Sequence, residues 1–342
     1  MRAYRLLLIF LFFAGTAFAQ GKWVKLAPFP EPAEEILGVA ANGKLYVFCG
    51  LAPGWKPIGM VYEYDPAADR WTKKKPMPLA SHHVSFAEHR GKIYAFGGFV
   101  LPPSGPPAWV PIDHAWEYDP ANDSWRALAP LPAKRGSPVA VTVGERIYVI
   151  GGAITAHDHS NVHPARPHAS TGAVEEYDPA SNTWRSRAPM PTQRNHAVGG
   201  AVGNKVYVIG GRVGGAFITG PSTNTDIVEE YDTSANTWSF RAKMPTPRSA
   251  MAAGVHQGRI YVSGGEYQDA RMMATYRALE AYDAAKNAWS VLPSMPTARH
   301  GLAGAFVGNR LHMVSGDVQS ALSGIKAHTE AHDAFEPEGA GK

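Results

Sequence analysis

Residues 182–211 read NTWRSRAPMPTQRNHAVGGAVGNKVYVIGG. A tryptophan near the start is followed by a Met-Pro break, a run of small residues, a Gly-Asn turn and an aliphatic strand that ends in two glycines. The same order recurs six times, and the tryptophan always lies 27 residues before the second residue of the glycine pair. The six pairs are Trp23 and Gly50, Trp71 and Gly98, Trp125 and Gly152, Trp184 and Gly211, Trp238 and Gly265, and Trp289 and Gly316. This constant spacing predicts a repeat protein with one supersecondary unit per repeat.

Each repeat contains four segments with the composition of short strands. In the fourth copy, a small apolar run ends at Gly203, and residues 205–209 are β-branched and aromatic, as is typical of a buried strand. A third segment ends in Tyr231-Asp232, and a fourth contains Trp238, seven residues after that tyrosine. Four short antiparallel strands in about fifty residues are the period of a β-propeller blade.

The order of paired glycines, Tyr-Asp, tryptophan and Met-Pro over residues 21–335 resembles the kelch motif. Members of that family are β-propellers, so the resemblance implies an all-β, six-bladed propeller with four antiparallel strands per blade. The first copy supplies only a tryptophan strand at residues 22–26, and the last copy ends before its own tryptophan. We expect the N-terminal strand to complete the last blade, which would hide two sheet edges. The propeller is predicted over residues 20–336, with a polar tail at 337–342.

The N-terminal residues 1–19 predict a secretory signal peptide of bacterial type. Two arginines precede an apolar run at residues 6–13, and Ala17 and Ala19 suit a signal-peptidase site. The run is too short for a membrane span. We expect a cleaved chain that starts near Gln20 and is secreted or periplasmic.

Composition narrows the class of protein further. The chain is 45% hydrophobic and 18% charged, which indicates a globular protein. The formal net charge of +4 is small and the basic residues are spread out, so we expect no nucleic-acid partner. Cys49 is the only cysteine, which excludes an intrachain disulfide. We expect a monomer without a membrane span.

The variable parts of the repeats predict a binding face. The spacing from the glycine pair to the next Tyr-Asp ranges from 14 residues, between Gly50 and Tyr64, to 25 residues, between Gly152 and Tyr177. These loops join the second and third strands of each blade and lie at the same end as the blade junctions. A rigid scaffold that carries variable loops on one face places binding there.

The junctions at that end supply candidate ligand-binding residues. Ten residues after the tryptophan, four of the six copies carry arginine: Arg135, Arg194, Arg248 and Arg299. Around one axis these could form a positive funnel for an acidic protein segment or a carboxylate-bearing glycan. Alternatively, each arginine pairs with a glutamate or a carbonyl of a neighbouring blade. In kelch domains that bind acidic peptides, residues near this junction contact the ligand, which favours contact for some of them.

Neighbouring polar and aromatic side chains extend this set. Polar candidates beside the mouth are His82, Asn195, His196 and His300. The aromatic loop residues can stack on sugars or anchor a protein interface. They are Trp55, Trp109, Phe217, Tyr267 and Tyr276.

A histidine-rich loop is a candidate metal site. His157, His159, His163 and His168 stand within twelve residues, and together with Asp158 they could hold Zn or Cu. The alternative is a solvated loop that is rich in histidine. We expect no other cofactor.

The leading functional hypothesis is an exported, non-catalytic binding module that uses the variable-loop face. The alternative is an enzyme similar to periplasmic sialic-acid mutarotases, in which Glu266 and Arg271 would act in general acid–base catalysis on a carboxylate sugar; these two residues could instead form an ordinary ion pair. A minor alternative is a metal-dependent oxidase similar to galactose oxidase. That chemistry needs a Tyr–Cys crosslink, whereas Cys49 lies in a core-strand pattern.

Overall fold

The computed structural model describes residues 21–54, 56–104, 108–156, 168–215, 224–268, 272–320 and 327–338. Over these residues the chain contains strands and turns and no helix. The strands form six four-stranded antiparallel blades, so the predicted all-β, six-bladed propeller is confirmed. The signal peptide predicted at residues 1–19 lies outside the described residues.

The blades follow one another along the chain, and each is built from a first to a fourth strand. Blade 1 comprises Glu34–Ala41, Lys44–Ala52, Val61–Asp65 and Arg70–Lys73, and Lys56–Pro57 pairs with its second strand. Blade 2 comprises Ser85–His89, Lys92–Phe96, Ala115–Asp119 and Ser124–Ala127. Blade 3 comprises Val139–Val143, Arg146–Ile150, Val174–Asp178 and Thr183–Ser186. Blade 4 comprises Val198–Val202, Lys205–Ile209, Val228–Asp232 and Thr237–Phe240.

The last two blades and three short hairpins complete the structure. Blade 5 comprises Ala252–His256, Arg259–Ser263, Leu279–Asp283 and Ala288–Leu292. Blade 6 comprises Ala303–Val307, Arg310–Val314, His332–Glu336 and the N-terminal strand Lys22–Lys25. Hairpins in the loops between second and third strands pair Phe99–Val100 with Val110–Pro111, Ala153–Thr155 with His168–Ser170, and Glu266–Gln268 with Met273–Thr275.

The first strands of the blades surround the central axis. Each contacts the first strands of both neighbouring blades, so the ring is closed. Their small residues permit this approach: a Cβ added to Gly38 of blade 1 would lie 2.8 Å from the backbone nitrogen of Gly304 in blade 6. The small-residue runs seen in the sequence are therefore required by close packing at the axis.

The repeated tyrosine and tryptophan fasten each blade to the preceding one. In blade 4 the Tyr231 hydroxyl donates to Asn236 Oδ1 over 2.6 Å, and that oxygen also accepts the Ala188 N–H of blade 3. Trp238 Nε1 donates to the Ala188 carbonyl over 2.9 Å. All six repeat tryptophans make this bond to the preceding blade, over 2.7–3.2 Å. The constant spacing thus serves to connect the blades.

The N-terminal strand closes the ring as predicted. Lys22–Lys25 pairs antiparallel with His332–Glu336, with Trp23 opposite Phe335. The Trp23 indole packs on the Phe335 ring with centroids 5.3 Å apart and donates to the Pro293 carbonyl of blade 5 over 2.7 Å. Both ends of the described chain are therefore held in one sheet.

A buried histidine pair stands beside this closure. His332 Nδ1 lies 3.1 Å from the Ala27 carbonyl, to which it can only donate, so its Nε2 is an acceptor. His312 Nδ1 lies 2.9 Å from that Nε2 and must carry the proton. Burial lowers the pKa of His312 to about 4 and that of His332 to about 3. Both imidazoles are thus neutral in the folded chain.

We expect acid to destabilise the folded chain through this pair. The unfolded histidines take up protons near pH 6.5, but the folded ones do so only near pH 4 and 3. The folded chain therefore loses stability as the pH falls from about 6.5 toward these lower values. The pair should contribute a loss of about 2–5 kcal/mol in unfolding free energy between pH 6.5 and 4.5. Urea unfolding at several pH values measures it, with His312→Asn as the comparison because asparagine keeps a donor for His332. The same pH dependence in both proteins would contradict the assignment.

Candidate functional site

The four junction arginines are buried in ion pairs inside their own blades. Each side chain is 0% exposed and lies against a carboxylate of the third strand. The pairs are Arg135 with Glu175, Arg194 with Glu229 at 2.5 Å, Arg248 with Glu280 at 2.7 Å, and Arg299 with Asp333 at 2.9 Å. The expected positive funnel is therefore not formed by these side chains, which bind a carboxylate within the fold instead. Pairing was the alternative interpretation, although the partner belongs to the same blade and not to a neighbour.

A signal for these pairs is present in the sequence. In four blades the residue two before the repeat tyrosine, or before Phe335 in blade 6, is acidic. In the two blades without the arginine this position is apolar or aromatic: Ala33 is matched by Tyr62 in blade 1, and Ser81 is matched by Trp116 in blade 2. Acid and arginine are kept or replaced together, as expected for a buried pair.

The residues that face the axis lie two positions after the arginine, or after Ala33 and Ser81 in the two blades that lack it. In all six blades this residue has a φ of 52–57°, in the left-handed region, and lines an axial cavity. The six are Glu35, His83, Ser137, His196, Ala250 and Gly301. Three of them carry metal-ligating or titratable side chains, and the sequence analysis selected only His196.

Glu35, His83 and His196 meet on the axis although they come from three blades. His83 Nε2 lies 3.0 Å from Glu35 Oε2, and the rings of His83 and His196 have centroids 4.5 Å apart. Burial raises the pKa of Glu35, but His83, His300 and Arg212 outweigh it and lower that pKa to about 2. Burial lowers the pKa of His196 far below its usual range. The group therefore combines a carboxylate with a neutral imidazole.

A second network surrounds Glu266, the predicted catalytic residue. This residue is 4% exposed, and its carboxylate accepts from Arg212 Nη2 over 2.9 Å and from Ser320 Oγ over 2.7 Å, and lies 3.5 Å from His300 Nε2. Burial raises the pKa of Glu266, but His300 and Arg212 outweigh this effect, so the pKa lies below its usual value. Arg271, its predicted partner, lies outside the described residues. Glu266 thus pairs with Arg212, which the sequence analysis did not select.

Glu34 connects this network to blade 6. It lies 3.7 Å from His300 Nε2 and 3.8 Å from His328 Nε2, and His328 in turn lies 3.7 Å from Asp317. Burial lowers the pKa of His300 and His328, but the nearby carboxylates raise both above the usual range. Burial raises the pKa of Asp317. We call Glu34, Glu35, His83, His196, Arg212, Glu266, His300, Asp317 and His328 the mouth cluster.

Other predicted ligand residues pack beside this cluster. His82 is fully buried, and its ring lies 4.9 Å from the ring of Trp109. Asn195 is 1% exposed and lies 2.5 Å from His196 Nδ1. The Tyr267 and Tyr276 side chains are half-buried, and burial raises the pKa of Tyr276. Trp55 and Phe217 lie outside the described residues.

The predicted metal loop is described only at its end. His168 Nε2 lies 2.8 Å from the Trp109 carbonyl, so it donates a hydrogen bond there. His157, His159 and His163 lie outside the described residues, so a metal site in this loop stays a prediction. Cys49 is 0% exposed, and burial raises the pKa of its thiol to about 12, so the thiol stays protonated.

Exposed apolar side chains lie on loops at the same end of the propeller as the mouth cluster. The structure describes seven large hydrophobic residues that are exposed, and five of them lie on loops between second and third strands. We call these five the apolar rim: Leu101, Val213, Met272, Met273 and Val318. Bridges such as those from Asn195 to Arg212 and from His300 to Asp317 hold these loops against the blade junctions. The predicted location of the loops at the junction end is confirmed.

Comparison with known proteins places the chain among kelch proteins. The model of the KLHDC2/KLHL20/DRC7 Kelch-repeats domain matches residues 17–211, and the Kelch motif matches residues 193–245 and 247–296. Kelch-like protein 25 of Xenopus tropicalis is 29% identical over 206 residues, which are 59% of this chain and 32% of that protein. Kelch-like protein 23 of Mus musculus is 29% identical over 279 residues, 81% of this chain and 44% of that protein. The chain thus spans less than half the length of these relatives.

A solved structure shares the overall fold of this chain. The solved structure of YjhT superimposes with a TM-score of 0.71, covering 90% of this chain and 95% of that one. The two sequences are 18% identical, so the likeness concerns the fold. Within the described residues, we find no helix with the length and apolar character of a membrane span.

Proposed function

Because the chain belongs to the kelch-repeat family, we propose that it is a protein-binding module whose loop face, the apolar rim and mouth cluster, holds a segment of another protein. Kelch domains generally bind proteins. The observation that carries the proposal is the concentration of exposed apolar residues on this one face. Apolar side chains that are exposed together on one face mark protein–protein interaction sites.

The rim supports binding because its side chains are exposed while the blades beneath them are rigidly packed. Met273 is 61% and Val213 is 41% exposed, although both residues belong to loops that are tied to the blades. The Thr275 hydroxyl donates to the Val318 carbonyl over 3.0 Å, which links the loops of blades 5 and 6. A pre-organised apolar surface loses little conformational entropy on binding.

The charges of the mouth cluster suggest which ligand suits it. The cluster contains four carboxylates and one guanidinium. Its formal net charge therefore stays negative even when His300 and His328 are both protonated. The sequence-based expectation of an acidic segment or a carboxylate-bearing glycan rested on the junction arginines, but their charge is neutralised inside the blades. We therefore propose that the bound segment combines apolar side chains with a lysine or arginine.

We also propose that the protein is exported. The pattern of residues 1–19 supports this, because cleavage after Ala19 would leave the closing strand Lys22–Lys25 intact. The first residue of the chain purified from its natural source, expected near Gln20, checks the proposal.

Selection from a random peptide library displayed on phage tests the binding proposal. We expect the purified chain to enrich peptides with apolar residues and a basic residue, and the synthetic peptides to bind by fluorescence anisotropy. The double variant Met273→Asp, Val213→Asp should raise Kd at least about 10-fold, because it places charges on the rim. Phe240→Asp with Val291→Asp is the matched control, since both residues are 63% exposed but lie on fourth strands.

Two results would contradict the proposal. If the rim variant binds the selected peptides as tightly as the parent chain, the rim is not the docking surface. If the enriched peptides are consistently acidic, the argument from the charges of the mouth cluster is wrong.

A further inference from the structure

Three potential metal ligands converge on the propeller axis outside the histidine-rich loop. Glu35, His83 and His196 each present one donor atom, and these three atoms lie within 4.8 Å of one another. The residues are 8%, 4% and 4% exposed. They occupy the equivalent position of blades 1, 2 and 4, where the shared left-handed φ places the side chains around the cavity.

The Nε2 atom of His196 carries an unused lone pair. The Asn195 Nδ2 group donates to Ser170 Oγ over 2.9 Å and to the Gly214 carbonyl over 3.1 Å. Its Oδ1 is therefore the acceptor that faces His196 Nδ1 at 2.5 Å, and the imidazole proton sits on Nδ1. Nε2 is buried and has no hydrogen-bond partner. A buried acceptor without a partner is costly, unless a ligand satisfies it.

His83, like His196, has its Nδ1 atom in contact with a neighbouring side chain and its Nε2 atom without a hydrogen-bond partner. Its Nδ1 lies 2.6 Å from His82 Nδ1, so one of these two atoms carries the shared proton. When His83 is the donor, its Nε2 is a second bare lone pair. That Nε2 lies 3.0 Å from Glu35 Oε2 and has no hydrogen-bond partner. Two donor atoms that face a common point without bonding to each other suit a shared cation.

We propose that Glu35, His83 and His196 form a site for one divalent transition-metal ion on the propeller axis. Two imidazoles and one carboxylate match the ligands that Zn²⁺ and Fe²⁺ take in proteins with open coordination positions. Asn195 and His82 supply the outer hydrogen bonds that fix the imidazoles, as is usual around metal ligands.

The surroundings can accommodate an ion. The cavity that these residues line holds about 50 Å³, enough for an ion with a water molecule, each water taking roughly 30 Å³ in the liquid. Arg212 and His300 are the nearby basic side chains. The charge of Arg212 is balanced by Glu266 at 2.9 Å, and His300 Nε2 lies 3.5 Å from Glu266 and 3.7 Å from Glu34. Zn–ligand bonds of about 2.1 Å need donor separations of about 3.4 Å, so small side-chain rotations complete the site.

Titration with Zn²⁺ alone tests the proposal. The full chain without an affinity tag is freed of metal with a chelator and titrated by calorimetry at neutral pH. We expect one Zn²⁺ per chain, a melting temperature raised by Zn²⁺, and visible absorption when Co²⁺ is bound in its place. Glu35→Gln and His196→Gln should each weaken binding by about 10-fold or more and remove the Co²⁺ absorption.

Two controls distinguish the axial site from the histidine-rich loop and from misfolding. The variant His157→Ala, His159→Ala, His163→Ala should bind Zn²⁺ as the parent does, because the proposed site does not use that loop. Melting curves of the metal-free proteins show whether each variant is folded. If Glu35→Gln or His196→Gln, the two axial variants, does not fold, His83→Gln is tested in its place. The proposal is overturned if the folded parent binds no stoichiometric Zn²⁺, if the axial variants bind it as tightly as the parent, or if the loop variant loses it.

Discussion

A chain that starts at residue 27 is expected to melt far below the parent and to aggregate. It lacks the strand Lys22–Lys25, which is the fourth strand of blade 6. Phe335 loses the Trp23 indole that packs on it, and the Pro293 carbonyl loses the hydrogen bond from Trp23 Nε1. Removing a packed tryptophan side chain alone costs about 3–5 kcal/mol. The truncation also exposes the edge of His332–Glu336, and an open sheet edge promotes association with other chains.

Thermal unfolding followed by circular dichroism, with light scattering for aggregation, measures this effect. The matched control is Lys22→Ala with Lys25→Ala, because both side chains are exposed and the strand itself is retained. A synthetic peptide of residues 20–27, added in excess, should restore part of the lost melting temperature. A truncated chain that stays monomeric and melts with the parent would show that ring closure does not depend on this strand.

Arg194→Ala is expected to lower the free energy of unfolding by about 3–5 kcal/mol, because it leaves a buried carboxylate without its partner. Arg194 and Glu229 are both 0% exposed, with Nη1 and Oε2 2.5 Å apart. The guanidinium also donates to the Val208 carbonyl over 2.8 Å. Without it, Glu229 must stay charged in an apolar interior or take up a proton.

Urea unfolding monitored by tryptophan fluorescence measures the loss. Lys73→Ala serves as the control, because its ion pair with Glu31 is 60% and 37% exposed and should contribute less than about 1 kcal/mol. The double variant Arg194→Ser, Glu229→Trp copies the pair of blade 2, Ser81 and Trp116, and should recover part of the stability. If Arg194→Ala is no more destabilising than Lys73→Ala, the pair does not stabilise the blade.

The sequence predicted the repeats well because their signals are local. The interval from Trp184 to Gly211 includes the turn, the strand and the glycine pair of one unit, and each follows from composition over a few residues. The missing tryptophan in the last copy and the orphan strand at Trp23 also sufficed to predict ring closure. These inferences needed only the period of the chain and the cost of an open edge.

The candidate site was predicted less well, because burial is not a local property. The arginine in four junctions was correctly identified as a repeated feature, but whether it faces a ligand or a carboxylate depends on the third strand, 35 residues away for Arg194 and Glu229. Similarly, Arg212 meets Glu266 across 54 residues of chain. Comparison of the acidic position between blades would have revealed the first pairing, since acid and arginine are lost together in blades 1 and 2.

The sequence by itself determined the strands, the number of blades and the face that carries variable loops. Each of these follows from spacing that is repeated along the chain. Only the tertiary structure decided which charges are neutralised inside the blades and which side chains meet on the axis. Glu35, His83 and His196 are far apart in sequence and come together because closure of six blades turns equivalent positions toward one point. No local pattern records that geometry, since it exists only after the ring has closed.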